Sequence, residues 1–319
     1  MMNFIPTLTS VLNKEDLGLY KMMKYHFGLE NNSENSPNQN FPLGTIAQIF
    51  SEHFEVNNKI SYSVSASIEL LNASFEVHED VRNGNTERFE KESLWWKYGP
   101  AQAINVGDGF QALSRSVLLD IADGFDNSES LLSIISNFDG SIIKICESEN
   151  YELDLQEKPI TTIDDYLRLA EHKLGTLLLL TMTTPMILSK SDLDTPNELS
   201  KNLMTYEKIR QDIDFFRDDS PKDSAKFGGI LSKNKPLPVI LVFQKGNPTQ
   251  KRKIGEIYLD RIIDPKKIPE IKRLCIELDT INDSKEMAND YKKKSELGLD
   301  HLGFSKSSKI EIFENISLL

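Results

Sequence analysis

The sequence predicts an all-α chain organised as a single domain. Apolar residues recur at helical spacing, three or four positions apart, along most of its 319 residues. Only Leu237 to Phe243 forms a short β-like run, and no internal repeat or interdomain linker interrupts the chain. With 39% hydrophobic residues, a chain of this length can bury one large core.

The predicted elements follow the chain in order. A first helix ends before the polar stretch Asn31 to Gln39, which predicts an exposed loop near residues 29–41. Helical spacing of apolar residues resumes from Phe41, and Gly84 ends a helix of this region. The long helices predicted after that are Ala101 to Asp120, Leu131 to Cys146, Ile163 to Leu188, Asn197 to Asp218, and Ile268 to Leu297.

The composition argues against several classes of protein. A formal net charge of −12 is unlike a nucleic-acid-binding protein, which neutralises phosphates with clustered Lys and Arg. No 18 apolar residues run together, and Met1 to Leu19 mixes charged with apolar residues. Cys146 and Cys275 lack the spacing of a zinc site or a disulfide framework. We therefore expect a cytoplasmic protein that binds no nucleic acid and has no stable membrane anchor.

Two short segments bring oxygen-bearing side chains together. On a helix, Glu79 and Asn83 lie four positions apart and share one face, with Asp80 beside them. A second segment has Asp214 and Asp218 at the same spacing. Two facing helices with such side chains can hold Mg²⁺, because this ion prefers oxygen ligands. The alternative is two ordinary solvated acidic faces, which is the commoner explanation for isolated pairs of acids.

Three motifs resemble those of a known family. Glu69 to Gly84 align without a gap with E-L-I-H-T-A-S-L-I-H-D-D-x-x-D-G, and Gly99 to Asp108 with G-x-x-x-A-I-N-A-G-D. Gln211 to Asp218 align with F-Q-x-x-D-D-x-x-D from its Q onward. The chain thus resembles the trans-isoprenyl diphosphate synthases, or polyprenyl synthetases, which share a helical fold with class I terpene synthases. The resemblance covers most of the chain. It implies one isoprenoid-synthase-like domain, residues 1–319, folded as a helical bundle around a central cavity.

The resemblance also implies roles for individual residues. The metal, Mg²⁺, would be bound by Glu79, Asp80, Asn83, Asp214 and Asp218. The diphosphate would be bound by Arg88, Lys173, Lys226, Lys235 and Gln211. The cavity would be lined by Ser74, Phe75, Phe89, Trp95 and Phe215. The catalytic residues among these sets would be Asp80, Asp214, Arg88 and Lys173.

Other positions depart from the family's pattern. The basic segment that binds isopentenyl diphosphate in the family falls at Asn38 to Pro42, which has no positive charge, and Phe89 replaces a second Arg. Losing several charge-assisted hydrogen bonds, each worth roughly 1.5–3 kcal/mol, is enough to abolish that site. The metal motifs are edited, since Phe215 replaces one Asp, but most positions keep an oxygen. Arg82 either pairs with Glu79 or contacts the diphosphate.

A retained allylic site and a lost isopentenyl site predict a Mg²⁺-dependent terpene synthase or cyclase. Such a lyase would ionise one allylic prenyl diphosphate, C10 to C20, to an olefin or an alcohol. One alternative is a prenyltransferase that uses a non-diphosphate acceptor, or a divergent isoprenyl diphosphate synthase. Another is a catalytically silent subunit of a heteromeric synthase. The resemblance further implies a homodimer that pairs through apolar positions of Ala101 to Leu119, unless they pack within the subunit: Ile104, Phe110, Leu113 and Leu118.

Overall fold

A computed structural model of the protein describes residues 4–30, 40–121, 128–191, 194–217, 233–260 and 263–319. Within these ranges the fold is all-α apart from one short two-stranded hairpin, so the predicted fold class is confirmed. Asn38, Asp218 and Lys226 lie outside the described residues, as does most of the predicted polar loop near residues 29–41.

The α-helices that lie within these ranges are numbered along the chain. In chain order they are α1 Ile5–Leu12, α2 Gly18–His26, α3 Pro42–His53, α4 Asn58–Asn83, α5 Leu94–Tyr98, α6 Pro100–Leu119, α7 Ser128–Glu157, α8 Ile163–His172, α9 Leu174–Ser189, α10 Asp194–Arg217, α11 Leu237–Lys245, α12 Pro248–Leu259, α13 Ile268–Glu277, α14 Thr280–His301 and α15 Lys306–Ile316. Strands β1 (Glu87–Arg88) and β2 (Lys91–Glu92) pair antiparallel between α4 and α5. Across the described ranges, no helix combines the length and the apolar content that a membrane span needs.

The chain divides into two compact units. The first comprises Met1–Ser141, Leu177–Pro196 and Phe304–Leu319, and the second comprises Ile142–Thr176 and Asn197–Gly303. The first unit therefore contains α1 to α6 and α15, and the second contains α8 and α11 to α14. The organisation of residues 1–319 as one domain stays a prediction.

Helix α4 lies in the core of the first unit, where it packs against α1, α3 and α6. Its apolar residues Leu70 and Val77 are buried together with Leu8 of α1, Met23 of α2 and Phe110 of α6. Val64 to Leu71 are all buried, so the middle of α4 is covered on every side, whereas α6 buries one apolar stripe against it. The acidic motif, at the C-terminal end of α4, is thereby attached to a well-packed helix.

A glycine allows α4 and α6 to approach closely. A methyl group on Gly107 would overlap the imidazole of His78. In this position His78 Nε2 lies 3.4 Å from the carbonyl oxygen of Ile104 and 3.4 Å from Oδ1 of Asp108. Gly107 and Asp108 of the second sequence motif therefore contact His78, which packs α4 against α6. His78 immediately precedes Glu79, the first residue of the acidic motif.

In the described part of the second unit, α11 is a largely buried helix. The β-like run Leu237 to Phe243 is helical, so the interpretation of this stretch as strand-like is wrong. Residues Leu237 to Val242 are all buried, and a run that is apolar on every side has no periodicity to distinguish a helix from a strand. Asp212 accepts hydrogen bonds from the Leu237 N–H (2.9 Å) and from the Tyr166 hydroxyl (2.7 Å), and it thereby caps α11.

Two of the predicted long helices are each divided in the structure. The stretch Ile163 to Leu188 forms α8 and α9, which are separated at Lys173 by a non-helical backbone (φ −82°, ψ −86°). The stretch Ile268 to Leu297 forms α13 and α14, between which Asp279 has a positive φ of 57°. Neither Lys173 nor Asp279 is a glycine or a proline, so the breaks have no strong local signal.

The pairing surface predicted on α6 is partly internal. Phe110 and Leu118 are fully buried, and Leu113 packs against the core of the first unit. The prediction is therefore wrong for Phe110 and Leu118, because these side chains pack within the chain. Ile104, in contrast, is 44% exposed.

Candidate functional site

The acidic motif occupies the end of α4. Gly84 closes the helix in the left-handed conformation (φ 68°), and its N–H donates to the Asp80 carbonyl. Asp80 is buried, Glu79 is half-buried and Asn83 is exposed. The three residues predicted as metal ligands in this motif thus lie on the last turn and a half of one helix, each in a different degree of contact with solvent.

Arg88 on β1 is bound to this motif. Its Nε and Nη2 atoms each lie 2.9 Å from a different carboxylate oxygen of Asp80, which makes a bidentate ion pair. Asn85 donates a further hydrogen bond to Asp80 (3.1 Å). Arg88 Nη2 also lies 3.3 Å from Glu79, and Arg82 lies 3.7 Å from the other oxygen of Glu79, so the predicted ion pair of Arg82 is present. Burial raises the pKa of the Asp80 carboxyl, and the hydrogen bonds from Arg88 oppose that rise.

A third carboxylate, Glu76, also faces Arg88. Its Oε1 lies 3.7 Å from Arg88 Nη1 and accepts a hydrogen bond from Asn72 (3.0 Å). Its Oε2 lies 3.0 Å from Nε2 of His26, which is buried at the end of α2. Although burial alone would raise the pKa of Glu76, the hydrogen bond from His26 and the charge of Arg88 lower it overall. Burial likewise works against the charge of Arg88, but the three carboxylates raise its pKa, so the guanidinium is firmly charged.

Neither His26 nor Glu76 was among the site residues predicted from the sequence. The two are 50 positions apart, and helix α2 belongs to no motif. One signal was available, because Glu76 stands where the motif aligned with Glu69 to Gly84 has a Leu. A charged residue at an apolar position of a buried helix needs a partner, and here the partners are His26 and Arg88.

A tight hairpin holds Arg88 in place. The turn between the strands consists of Phe89 and Glu90, which both have positive φ values, 52° and 60°. After the turn, Lys91 donates to two backbone carbonyls at the end of α2, including that of His26 at 3.0 Å. A Lys at a helix C-terminus satisfies carbonyls that have no partner within the helix. The hairpin is therefore attached to α2 on one side and to α4 on the other.

The residues predicted to line a cavity near this motif differ in their surroundings. Ser74 is buried and Phe75 is partly buried on α4. Trp95 packs against the core of the first unit, and its indole N–H donates to the backbone carbonyl of Asn85 (2.6 Å). Phe89 is 41% exposed at the tip of the hairpin. Trp95 thus supports the segment that donates to Asp80, a role that its position in the sequence does not reveal.

The described part of the segment predicted to have lost its basic residues is largely apolar. Asn40 is exposed, whereas Phe41 and Pro42 are buried. The Phe41 ring lies 6.0 Å from that of Phe4 and 5.7 Å from that of Phe27, measured between centroids. Phe41 is therefore a core residue of the first unit, in an aromatic cluster whose edge-to-face contacts stabilise packing.

The second acidic motif lies on α10, within the second unit. Arg210 donates to Asp214 (2.7 Å) and forms a bidentate ion pair with the buried Glu207 (2.6 and 2.8 Å). Gln211 donates to Glu207 as well (3.0 Å). Burial raises the pKa of Glu207, and Arg210 opposes the shift. Phe215 packs beside the apolar core of this unit rather than contributing an oxygen. Glu207 and Arg210 were not predicted from the sequence.

Two of the predicted diphosphate-binding lysines have partners within the second unit. Lys173 lies 3.0 Å from Glu152, an ion pair at the break between α8 and α9. Lys235 is buried, donates to the Leu155 carbonyl (3.0 Å) and lies 5.2 Å from the centre of the Tyr258 ring. Burial lowers the pKa of Lys235 to about 8. Both amines thus contact residues of α7. Their role in binding a diphosphate stays a prediction.

The donor groups at the end of α4 suit a magnesium ion in kind. Glu79 and Asp80 offer carboxylate oxygens and Asn83 offers an amide oxygen, and Mg²⁺ prefers such hard donors. Among the residues that the structure describes, no three His, Cys, Asp or Glu side chains converge into a ready-made metal site. A cation at Asp80 would share its oxygens with Arg88, which already binds both of them.

Comparisons with known proteins establish the family. Residues 44–275, which span both acidic motifs, match the sequence model of the family described as Polyprenyl synthetase. The chain belongs to the polyprenyl synthetase family.

Curated relatives match over part of their length. An all-trans-nonaprenyl-diphosphate synthase (geranyl-diphosphate specific) of Rhodobacter capsulatus is 26% identical over 62% of this chain and 59% of its own. A geranylgeranyl diphosphate synthase of Mycobacterium tuberculosis is 29% identical over 36% of this chain and 31% of its own. The matched regions thus span less than two thirds of these relatives.

Solved structures share the fold across the whole chain. A decaprenyl diphosphate synthase from Rhodobacter capsulatus superposes with a TM-score of 0.84 at 12% identity, covering 99% of this chain and 94% of that one. A heptaprenyl diphosphate synthase from Staphylococcus aureus superposes with a TM-score of 0.81 at 21% identity, covering 100% and 98%. At these identities the likeness concerns the fold alone.

Proposed function

We propose that the protein is a prenyltransferase that takes its prenyl group from an allylic diphosphate. The observation that supports this most is the family match over residues 44–275, because it includes both acidic motifs and Arg88. The relatives that match are named as prenyl diphosphate synthases. The names of these relatives favour a transferase over the terpene synthase that the edited motifs indicate. A transferase also fits the edited motifs, because it needs only one allylic site.

In the proposed reaction the bond between C1 of the prenyl chain and the diphosphate oxygen breaks, and the electron pair leaves with the diphosphate. A nucleophilic atom of the acceptor then bonds to C1 and loses a proton. Arg88 would bind the diphosphate by charge-assisted hydrogen bonds. A magnesium ion bound at the end of α4, by Glu79, Asp80 and Asn83, would neutralise charge on the leaving group.

The acceptor, we infer, does not carry a diphosphate. Phe41 is buried among aromatic rings where the family's pattern has basic residues, and Phe89 stands in place of a second guanidinium. Without counter-charges, an acceptor diphosphate would lose its hydration without compensation. A neutral nucleophile such as an indole has no such cost.

The test combines three allylic substrates with two acceptors. Purified protein with Mg²⁺ is incubated with C10, C15 or C20 allylic diphosphate, alone, with isopentenyl diphosphate or with indole, and the products are analysed by mass spectrometry. We expect a prenylated indole and no elongated diphosphate. Asp214→Ala should reduce turnover at least ~10-fold, because a metal-binding carboxylate is removed, whereas Asp290→Ala on the exposed face of α14 should not.

Each other outcome identifies a different function. Elongated prenyl diphosphates would mean that the chain is a divergent isoprenyl diphosphate synthase and that the inference about the acceptor is wrong. Olefins or alcohols formed without any acceptor would restore the terpene synthase hypothesis. No turnover, together with diphosphate binding that Asp214→Ala leaves unchanged, would favour a silent subunit.

A further inference from the structure

Three carboxylates surround the Arg88 guanidinium, but they are not equivalent. Asp80 and Glu79 belong to the acidic motif, where a cation would bind them. Glu76 lies three positions before Glu79, almost one turn earlier on α4, and its oxygens already have partners in Asn72 and His26. A cation bound to the acidic motif would therefore compete with Arg88 for Asp80 and Glu79, but not for Glu76.

The placement of Glu76 is fixed from two sides. Asn72, four positions earlier on α4, donates to Oε1, and His26 from α2 lies 3.0 Å from Oε2. The carboxylate only accepts, so His26 donates its Nε2 hydrogen in this pair. His26 is itself held among aromatic rings, including those of Phe27 and Phe110 at 5.4 and 5.6 Å. A side chain with this many contacts has little rotamer freedom left.

We propose that Glu76 is a positioning residue for Arg88, and that His26 orients Glu76 for this purpose. The proposal rests on the proposed function, in which Arg88 binds the diphosphate of the allylic substrate. With a cation and a diphosphate at the end of α4, Asp80 and Glu79 would hold the cation through their carboxylate oxygens. Glu76 then keeps the guanidinium within reach of the diphosphate, because its other contacts do not change.

The chemistry of substitution at position 76 sharpens the test. All three partners of the Glu76 carboxylate, namely Asn72, His26 and Arg88, are hydrogen donors. A glutamine has the same shape but only one accepting atom, so its amide hydrogens would face at least one of these donors. Glu76→Gln therefore removes the charge and misaligns a donor while leaving the volume of the core unchanged.

The experiment measures the binding of inorganic pyrophosphate in the presence of Mg²⁺ by isothermal titration calorimetry. Glu76→Gln should weaken binding by ~10-fold or more, as expected for the loss of a charge-assisted contact. The matched control is Glu87→Gln, which removes a carboxylate from the exposed side of the same hairpin, one residue before Arg88, and should change binding less than ~2-fold. Circular dichroism and thermal melts of each variant check that it is folded.

A pair of variants at His26 separates positioning from packing. His26→Leu keeps an apolar body but loses the donor, whereas His26→Gln keeps a donor that can reach Glu76. We expect His26→Leu to weaken pyrophosphate binding as Glu76→Gln does, and His26→Gln to recover most of the affinity. Equal binding by the wild type and Glu76→Gln, or equal weakening by both His26 variants, would overturn the proposal. If the wild type itself binds no pyrophosphate, the proposed function is wrong and the positioning role falls with it.

Discussion

Glu69 is a buried carboxyl group near the middle of α4, in the first unit. It is 3% exposed and accepts the backbone N–H of Gly44 at the start of α3 (2.5 Å). Burial raises its pKa to about 8; the hydrogen bond from Gly44 works against the rise, and the nearby charge of Glu76 adds to it. At neutral pH most of the folded molecules therefore hold a proton on Glu69.

The stability of the protein should depend on this proton. The unfolded chain releases it near pH 4.5 and the folded chain near pH 8, so the contribution of Glu69 is greatest below pH 4.5 and declines as the pH rises to 8. We expect Glu69→Gln, which is neutral at every pH and can still accept from Gly44, to gain melting temperature relative to the wild type between pH 5 and pH 8. A gain of ~1 kcal/mol would appear as ~2–4 °C. An unchanged difference between the two proteins across this range would contradict the assigned pKa.

The sequence predicted a site residue where that residue belongs to a motif. It did not predict residues that join the site only through tertiary contacts. The positions of Asp80 and Arg88 followed from the resemblance, and the structure joins them in a bidentate ion pair. His26 and Glu76 could not be paired from the sequence, because their contact depends on how α2 packs. The burial of Lys235 beside Tyr258 is equally invisible in a motif, which records the residue type but not its exposure.

At the scale of elements, α3 and α4 meet at Gly44. A methyl group on this residue would come within 2.5 Å of the Phe4 ring and 2.9 Å of the Glu69 side chain, both of which are buried. Gly44→Ala should destabilise the protein by ~1–3 kcal/mol, the usual result of overpacking a core. Gly140→Ala is the matched control, since nothing lies within 4 Å of its added methyl group. There the better helix propensity of Ala should stabilise by up to ~1 kcal/mol.

Chemical denaturation with circular dichroism measures both glycine variants. A Gly44→Ala protein as stable as Gly140→Ala would mean that α3 and α4 can separate slightly at no cost.

Periodicity predicted most of the helices, but it did not always distinguish a helix from a strand or locate the end of a helix. Val64 to Leu71 of α4 are buried without a gap, whereas the amphipathic helix α6 shows the expected spacing of buried residues. Helix α11 shows none, because it is buried on all sides, and the Asp212 cap that starts it lies 25 positions earlier in the chain. The hairpin of β1 and β2 was not predicted either, since strands of two residues are too short to have a pattern.

For the whole molecule, the order of the three motifs was enough to predict the fold family, and the structural neighbours at 12% and 21% identity share that fold. The assembly state stays a prediction. Two large apolar residues on α6 remain exposed, Ile104 at 44% and Leu119 at 50%. We expect a homodimer in sedimentation at micromolar concentration, weakened by Ile104→Asp, because an apolar side chain gains from leaving water. A single monomeric species at that concentration would reject it.

The hydrogen bond between Trp95 and Asn85 has a spectroscopic consequence. The chain has only two tryptophans, Trp95 and its neighbour Trp96, which is 55% exposed. The Trp95 indole donates to the Asn85 carbonyl, and the Asn85 amide donates to Asp80, so two hydrogen bonds connect this fluorophore to the acidic motif. All intrinsic tryptophan emission therefore originates beside the candidate site. In a Trp96→Phe protein, the wavelength and intensity of that emission report on the surroundings of Trp95 without any attached label.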